Sequence, residues 1–165
     1  MIERMTESID VYSETNPAFL SLALWSFLKG FQESDESGAE LPMLYLPIPI
    51  ILSGDFQSTF EKTNKRTGFL AWLNRNQGQL INFDNQLKNT RNYTQKSILF
   101  GLQNEIISVS SDGKFGAIDT GLSKKPKYIA KSYLGKVFTR SERFGFWLGD
   151  MRSTKAVYSS LRVVV

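Results

Sequence analysis

Histidine and cysteine, the side chains that most often do chemistry at neutral pH, are both missing from this sequence of 165 residues. Their absence removes zinc sites built on His or Cys, thiol nucleophiles, Ser-His-Asp triads and imidazole proton transfer. It also removes disulfides, so nothing argues for an oxidising compartment. What remains for catalysis is carboxylate, lysine, tyrosine and serine. Residues 61–165 hold seven acidic side chains, widely spaced, and no Asp/Glu pair presents itself for general acid–base or two-metal work. Lone acids such as Asp84 or Glu105 read as surface or capping groups. Neither a GxxxxGK[ST] loop nor a GxGxxG turn is present, so the usual phosphate-cradling loops are missing. The expectation is a protein with no catalytic, cofactor-binding or metal-ligating residues, and hence no cofactor.

Charge is the next resource, and it is lopsided. Residues 1–60 carry two basic against nine acidic side chains, a net of −7, whereas residues 61–165 carry eighteen against seven, a net of +11. The densest basic run is Lys124, Lys125, Lys127, Lys131, Lys136, Arg140 and Arg143. Lysine and arginine at that density suit DNA phosphates or an acidic partner, and they equally suit a solvated face. Lys124, Lys125, Lys127 and Lys131 are the candidates for DNA or acidic-partner contact. Apolar contact has its own candidates in Leu22 and Trp25, which fall opposite the main apolar stripe of the first strong helix.

The elements that must position these residues follow from local signals. With 41% hydrophobic and 13% aromatic residues the chain can build a real core, and its length suits one domain. Asn16-Pro17 is a helix start, Asn as N-cap and Pro at the first helical position. A helix over 17–31 then places Phe19, Leu20, Ala23, Leu24, Phe27, Leu28 and Phe31 on one broad side. Being apolar nearly all round, it must be covered on both sides, by its own domain or by a partner. Residues 32–40 are polar and acidic, a connector. Leu41 to Leu52 reads as a buried helix that kinks or breaks near Pro47, with an extended segment as the alternative. Residues 53–64 form a short helix plus a turn, with Phe56 and Phe60 on one face.

Residues 67–118 are the best-organised block. A short helix over 67–74 carries Phe69, Leu70, Trp72 and Leu73; a second over 79–88 spaces Leu80, Phe83 and Leu87 on one stripe; Asn89–Asn92 breaks the pattern; a third runs from Thr94 to Glu105. Residues 106–110 and 114–118 flank Asp112-Gly113, a hairpin signal. Three helices and a hairpin are the order of a winged-helix module, which reads DNA or docks protein. A further amphipathic helix starts near Lys127, with Ile129, Ala130, Tyr133, Leu134 and Val137 on one stripe; residues 142–150 are aromatic and glycine-interrupted; Ser153-Thr154-Lys155 opens a last helix through Leu161; and an apolar Val163–Val165 closes the sequence. The fold class is α+β, one mainly helical domain with an acidic helical part (1–66), a winged-helix-like centre (67–118) and a basic helical part (119–165). Residues 1–16 carry acids where a secretory leader would be basic then apolar, and no apolar run approaches the roughly 20 residues a bilayer needs, so a cytoplasmic address is expected.

Several of these pieces occur together in one family. The order is NPAF leading an aromatic helix that ends KGF, the run LPMLYLPIPIIL, then RTGFLAWLNRN, SILFGLQNEIISVSSDGKF, YIAKSYLGKVFTR and AVYSSLRVV. The chain from Asn16 to Val163 resembles the middle component of bacterial three-component ABC-ATPase conflict systems, best known from the Lamassu anti-phage and anti-plasmid systems. Pro49, a second proline in the apolar run, is a departure that bears on the conformation of that segment alone. The resemblance implies a small non-catalytic accessory subunit whose partners are an SMC-like or Rad50-like ATPase and a nuclease-type effector, with DNA met mainly through the complex. The alternative, from the residues alone, is a stand-alone winged-helix DNA-binding regulator.

Overall fold

The computed structural model describes residues 15–119 and 133–163. Its frame is a pair of long helices from the two ends of the sequence, α1 (Pro17–Ser34) and the helix over Tyr133–Met151. Helix α1 starts where the sequence says it should: Asn16 is extended and its side chain accepts from the Ala18 N–H. It runs three residues past the expected end, into the acidic connector, before Asp35–Gly38 turns the chain. A two-residue strand β1 (Ala39–Glu40) follows, then a 3-10 turn over Leu41–Tyr45 and a short helix α2 (Pro47–Ile51). The apolar proline run is therefore helical with a break before Pro47, where the ring removes a donor, and the extended alternative is not taken. Gly54–Gln57 (α3) is extended by a 3-10 turn that buries Phe56 and Phe60 together. Phe69–Arg75 forms α4.

The next element corrects the sequence expectation. Residues expected to form two helices separated at Asn89–Asn92 form one, α5 (Phe83–Gln103). Asparagine is a poor helix former but costs only a few tenths of a kcal/mol per position. Phe83, Thr94, Ser97, Ile98 and Gly101, buried along one stripe, supply the packing that outweighs that cost. The three-helix order expected of a winged-helix centre is thus not the order found. The hairpin is present: β2 (Ile107–Val109) pairs antiparallel with β3 (Lys114–Ala117), in register Ile107 with Ala117 and Val109 with Phe115. Gly113, at φ 78°, makes the turn. Strand β1 adds to the far side of β3, giving a small three-stranded sheet in the order β1-β3-β2.

Helix α6 (Tyr133–Met151) absorbs the glycine-interrupted segment without a break, and the residues before it, where the amphipathic helix was expected to begin, lie outside the described residues. Its glycines mark a close approach. A Cβ at Gly145 would sit 1.9 Å from the Phe27 carbonyl oxygen, and one at Gly30 of α1 would sit 1.9 Å from the Glu142 carbonyl oxygen. Two hydroxyls tie the seam: Ser141 Oγ donates to the Ala23 carbonyl at 2.5 Å and Ser34 Oγ to the Phe146 carbonyl at 2.9 Å. The pairings Ala23 with Ser141, Phe27 with Gly145 and Phe31 with Gly149 rise together, so α1 and α6 run in the same direction. Ser141, Gly145 and Gly149 recur every fourth residue and form one row of small side chains on α6. The last helix, α7 (Thr154–Leu161), is capped by the Ser153 hydroxyl accepting from the Ala156 N–H. The structure is mostly helical with one small antiparallel sheet, the α+β class expected.

The core lies beside that seam and is aromatic. Phe60 stacks on Trp147 with ring centroids 5.8 Å apart, and Phe144 meets Trp72 edge-on at 5.7 Å. All three tryptophans place their N–H on a protein acceptor: Trp25 on the Ile118 carbonyl, Trp72 on the Thr59 hydroxyl and Trp147 on the Asn64 carbonyl. Buried indoles with satisfied donors are what an aromatic core needs to be unique as well as apolar.

Candidate interaction surfaces

The two apolar contact candidates are placed by α1. Trp25 is only 4% exposed, and its indole donates to the Ile118 carbonyl at 2.7 Å, with the Lys29 ammonium 5.6 Å from the ring centroid. Its side chain is covered by its own domain, the first of the two ways α1 was expected to be buried. Leu22 is half-buried. The structure thus spends Trp25 on its own domain and leaves part of Leu22 exposed.

The basic run divides. Lys124, Lys125, Lys127 and Lys131 lie outside the described residues. Lys136 is exposed on α6 and Arg140 half-buried. Arg143 is turned inward: its guanidinium donates to the Phe60 carbonyl at 3.2 Å and to Thr63 Oγ1 at 3.0 Å, which clamps the loop after Phe60 onto α6. Burial, with a smaller push from Arg140, lowers its pKa, yet an arginine stays charged. This cation holds the fold together rather than facing outward.

The titratable groups that do shift serve internal contacts. Hydrogen bonds from Thr154 and Lys114 hold the Glu40 carboxyl below its usual range, and the Lys114 ammonium lies 3.1 Å away across the β1–β3 pair. Lys65 joins Glu33 of α1 to Glu142 of α6 and lies 5.3 Å from the Phe146 ring centroid. Burial raises the Tyr158 phenol to about 12, and its hydroxyl donates to the Pro42 carbonyl at 2.5 Å. Among the described residues, no group of three or more potential metal ligands converges.

Sequence reasoning missed two exposed apolar residues that lie together. Ile81 is 88% exposed and Leu70 50% exposed. They flank a groove of about 630 Å³ between α4, the 3-10 turn over Gln77–Leu80 and the end of α7, with Leu73, Leu80, Leu161 and Val163 also on its walls. A signal was available. Leu80, Phe83 and Leu87 make the buried stripe, and Ile81 is an apolar residue that falls off it. A smaller groove, about 270 Å³, lies between α2 and α5 and is lined by Ile48, Pro49, Leu52 and Tyr93. The buried Gln86 Oε1 on its edge has no hydrogen-bond partner among the described residues.

A helical domain with a finished core, one arginine of its basic run folded inward and an apolar groove left open has the makings of a component of something larger. The family model of the ABC-three component (ABC-3C) system Middle Component 3 matches residues 7–165, so the chain belongs to that family. It is an accessory subunit of a multi-component ABC system, and its partners are proteins. The match bears out the middle-component resemblance read from the sequence. No curated protein and no solved structure matches the chain. No helix among the described residues is long and apolar enough to cross a membrane.

Proposed function

We propose that this chain is a non-catalytic subunit of a Lamassu-type complex in bacterial anti-phage and anti-plasmid defence, and that it joins an SMC-like or Rad50-like ATPase to a nuclease-type effector. The complex works in the cytoplasm, and this subunit acts by fit rather than by turnover. The observation that carries the reading is the groove beside Leu70 and Ile81. The domain's own core is complete without it, and water-facing isoleucine and leucine around a concave surface are characteristic of a docking site. The lack of histidine and cysteine in the sequence, and the internal use made of Glu40, Lys65 and Arg143, support a role without catalysis.

Co-expression tests this directly. The tagged chain should carry the ATPase of its system through affinity and size-exclusion steps, and a Leu70→Glu/Ile81→Lys double variant should lose it while melting as the wild type does. If the double variant keeps the ATPase, the groove is not the docking site. A wild-type chain that carries neither ATPase nor effector sinks the subunit reading altogether.

A further inference from the structure

We propose that the solvent face of α5 is a contact surface for duplex DNA. The inference goes beyond the docking groove, whose wall includes Asp84 at the start of this helix, and concerns the exposed side of the helix from Asn85 onward. Helix α5 has 21 residues, about 31 Å of axis, and docks on the core by one stripe only. Its opposite side exposes Lys88, Arg91 and Lys96 together with Asn85, Asn92 and Gln95, and one apolar side chain, Leu99. From 85 to 104 the sequence holds no carboxylate, so this face has one sign of charge over almost its whole length. Arg91 and Lys96 form no ion pair among the described residues; Lys88 forms one with Asp84 at 2.9 Å, between side chains that are both more than half exposed. A pair that open to water is readily exchanged for a phosphate.

The chemistry of the face is specific in kind. Lysine and arginine neutralise phosphates, while asparagine and glutamine side chains present a donor and an acceptor together, the pattern that matches a base edge. Lys88 and Lys96 are eight positions apart, about 12 Å along the axis, which spans three to four steps of one DNA strand. An exposed helix fits the major groove of B-form DNA, about 12 Å wide, whereas the deep and narrow major groove of A-form RNA excludes it. The two halves of this face were separated in the sequence expectation by a break at Asn89–Asn92. Only as one continuous helix do Lys88 and Arg91 join Lys96 and Gln95 on a single surface.

The test is fluorescence anisotropy of a labelled DNA duplex against the full chain over a series of salt concentrations. The wild type should bind, with affinity falling as salt rises. The triple variant Lys88→Glu, Arg91→Glu, Lys96→Glu should bind at least about tenfold more weakly and lose roughly three from the log–log salt slope. The neutral variant Arg91→Gln/Lys96→Gln guards against a folding artefact and should lose roughly two. Both variants should melt as the wild type does and still carry the ATPase, so that loss of DNA binding and loss of the subunit reading are told apart. The proposal is overturned by a wild type that does not bind DNA, by variants whose affinity and slope are unchanged, or by an RNA duplex bound as tightly. It is equally overturned if the variants lose the ATPase and keep DNA binding, for then the face meets an acidic protein.

Discussion

At the α1–α6 seam a methyl group has nowhere to go, whereas around Gly78 and Ile81 there is nothing to hit. A Cβ at Gly145 would overlap the Phe27 carbonyl, while one at Gly78 meets no atom within 4 Å. The first region is determined by contact from every side: glycine against backbone, hydroxyl to carbonyl, stacked rings behind. The second, α4 with its turn and the outer face of α5, keeps one side on the core and offers amides, cations and the bare apolar side chains of Leu70, Ile81 and Leu99 to the outside. Specification of the fold is concentrated in the seam and freedom to recognise something else in the turn. The same substitution should therefore have very different consequences in the two places.

A large effect is expected from a very small change. Gly145→Ala should destabilise the protein by about 3 kcal/mol, because the helices must separate or shift to admit one methyl. Gly78→Ala should be neutral or slightly stabilising, since alanine lowers the entropy of the unfolded chain at an open site. Urea denaturation of the two variants side by side checks the pair. Equal midpoints would mean that α1 and α6 do not approach as closely as described.

Next comes the aromatic layer behind the seam. Trp72→Ala should cost about 3–5 kcal/mol, since it empties a fully buried site ringed by Phe56, Phe60, Phe69, Phe144 and Trp147 and strands the Thr59 hydroxyl as an acceptor. A thermal scan that finds a loss under 1 kcal/mol would show that the layer repacks, and the contrast between the two regions would weaken accordingly.

How far the sequence revealed this contrast depends on the range of the signal. Local chemistry was legible: Asn16 and Ser153 cap helices, Pro47 breaks one, and Asp112-Gly113 turns a hairpin, because each is settled within a few residues. What depends on distant partners was not. Glycines over 142–150 read as interruption, when in fact they are the contact row of a helix meeting a neighbour more than a hundred residues away. Asn89–Asn92 read as a stop, when burial of Phe83, Thr94 and Ile98 carries the helix through. The two residues of β1 have no periodicity to detect. Of the candidate contacts, Trp25 was reasonable by type, yet its indole found the Ile118 carbonyl, a partner no pattern in α1 reveals.

A subtler test of the determined region is pH. Burial raises the folded-state pKa of Tyr158 to about 12, above the ordinary phenol value near 10, so the fold favours the protonated form. The stability this contributes is whole below pH 10 and is lost as pH climbs from about 10 through about 12. Tyr158→Phe removes both the titration and the hydrogen bond to the Pro42 carbonyl, so it should cost about 1 kcal/mol at neutral pH and flatten that alkaline decline. A wild type and a Phe variant that decline in parallel would show that the phenol is as solvated folded as unfolded.

The smallest stability effect should come from the residue at the mouth of the proposed docking groove. Ile81→Lys alone should change the unfolding free energy by less than about 0.5 kcal/mol, because an isoleucine already 88% exposed contributes almost nothing to the core and a lysine there is hydrated at once. The same change places a charge at the mouth of an apolar groove, and a partner side chain seated there would have to strip its water. Melting temperature and partner retention should thus separate cleanly at position 81, just as they should fall together at Gly145. If Ile81→Lys unfolds the domain, the turn belongs to the core after all, and the open region is smaller than its exposure suggests.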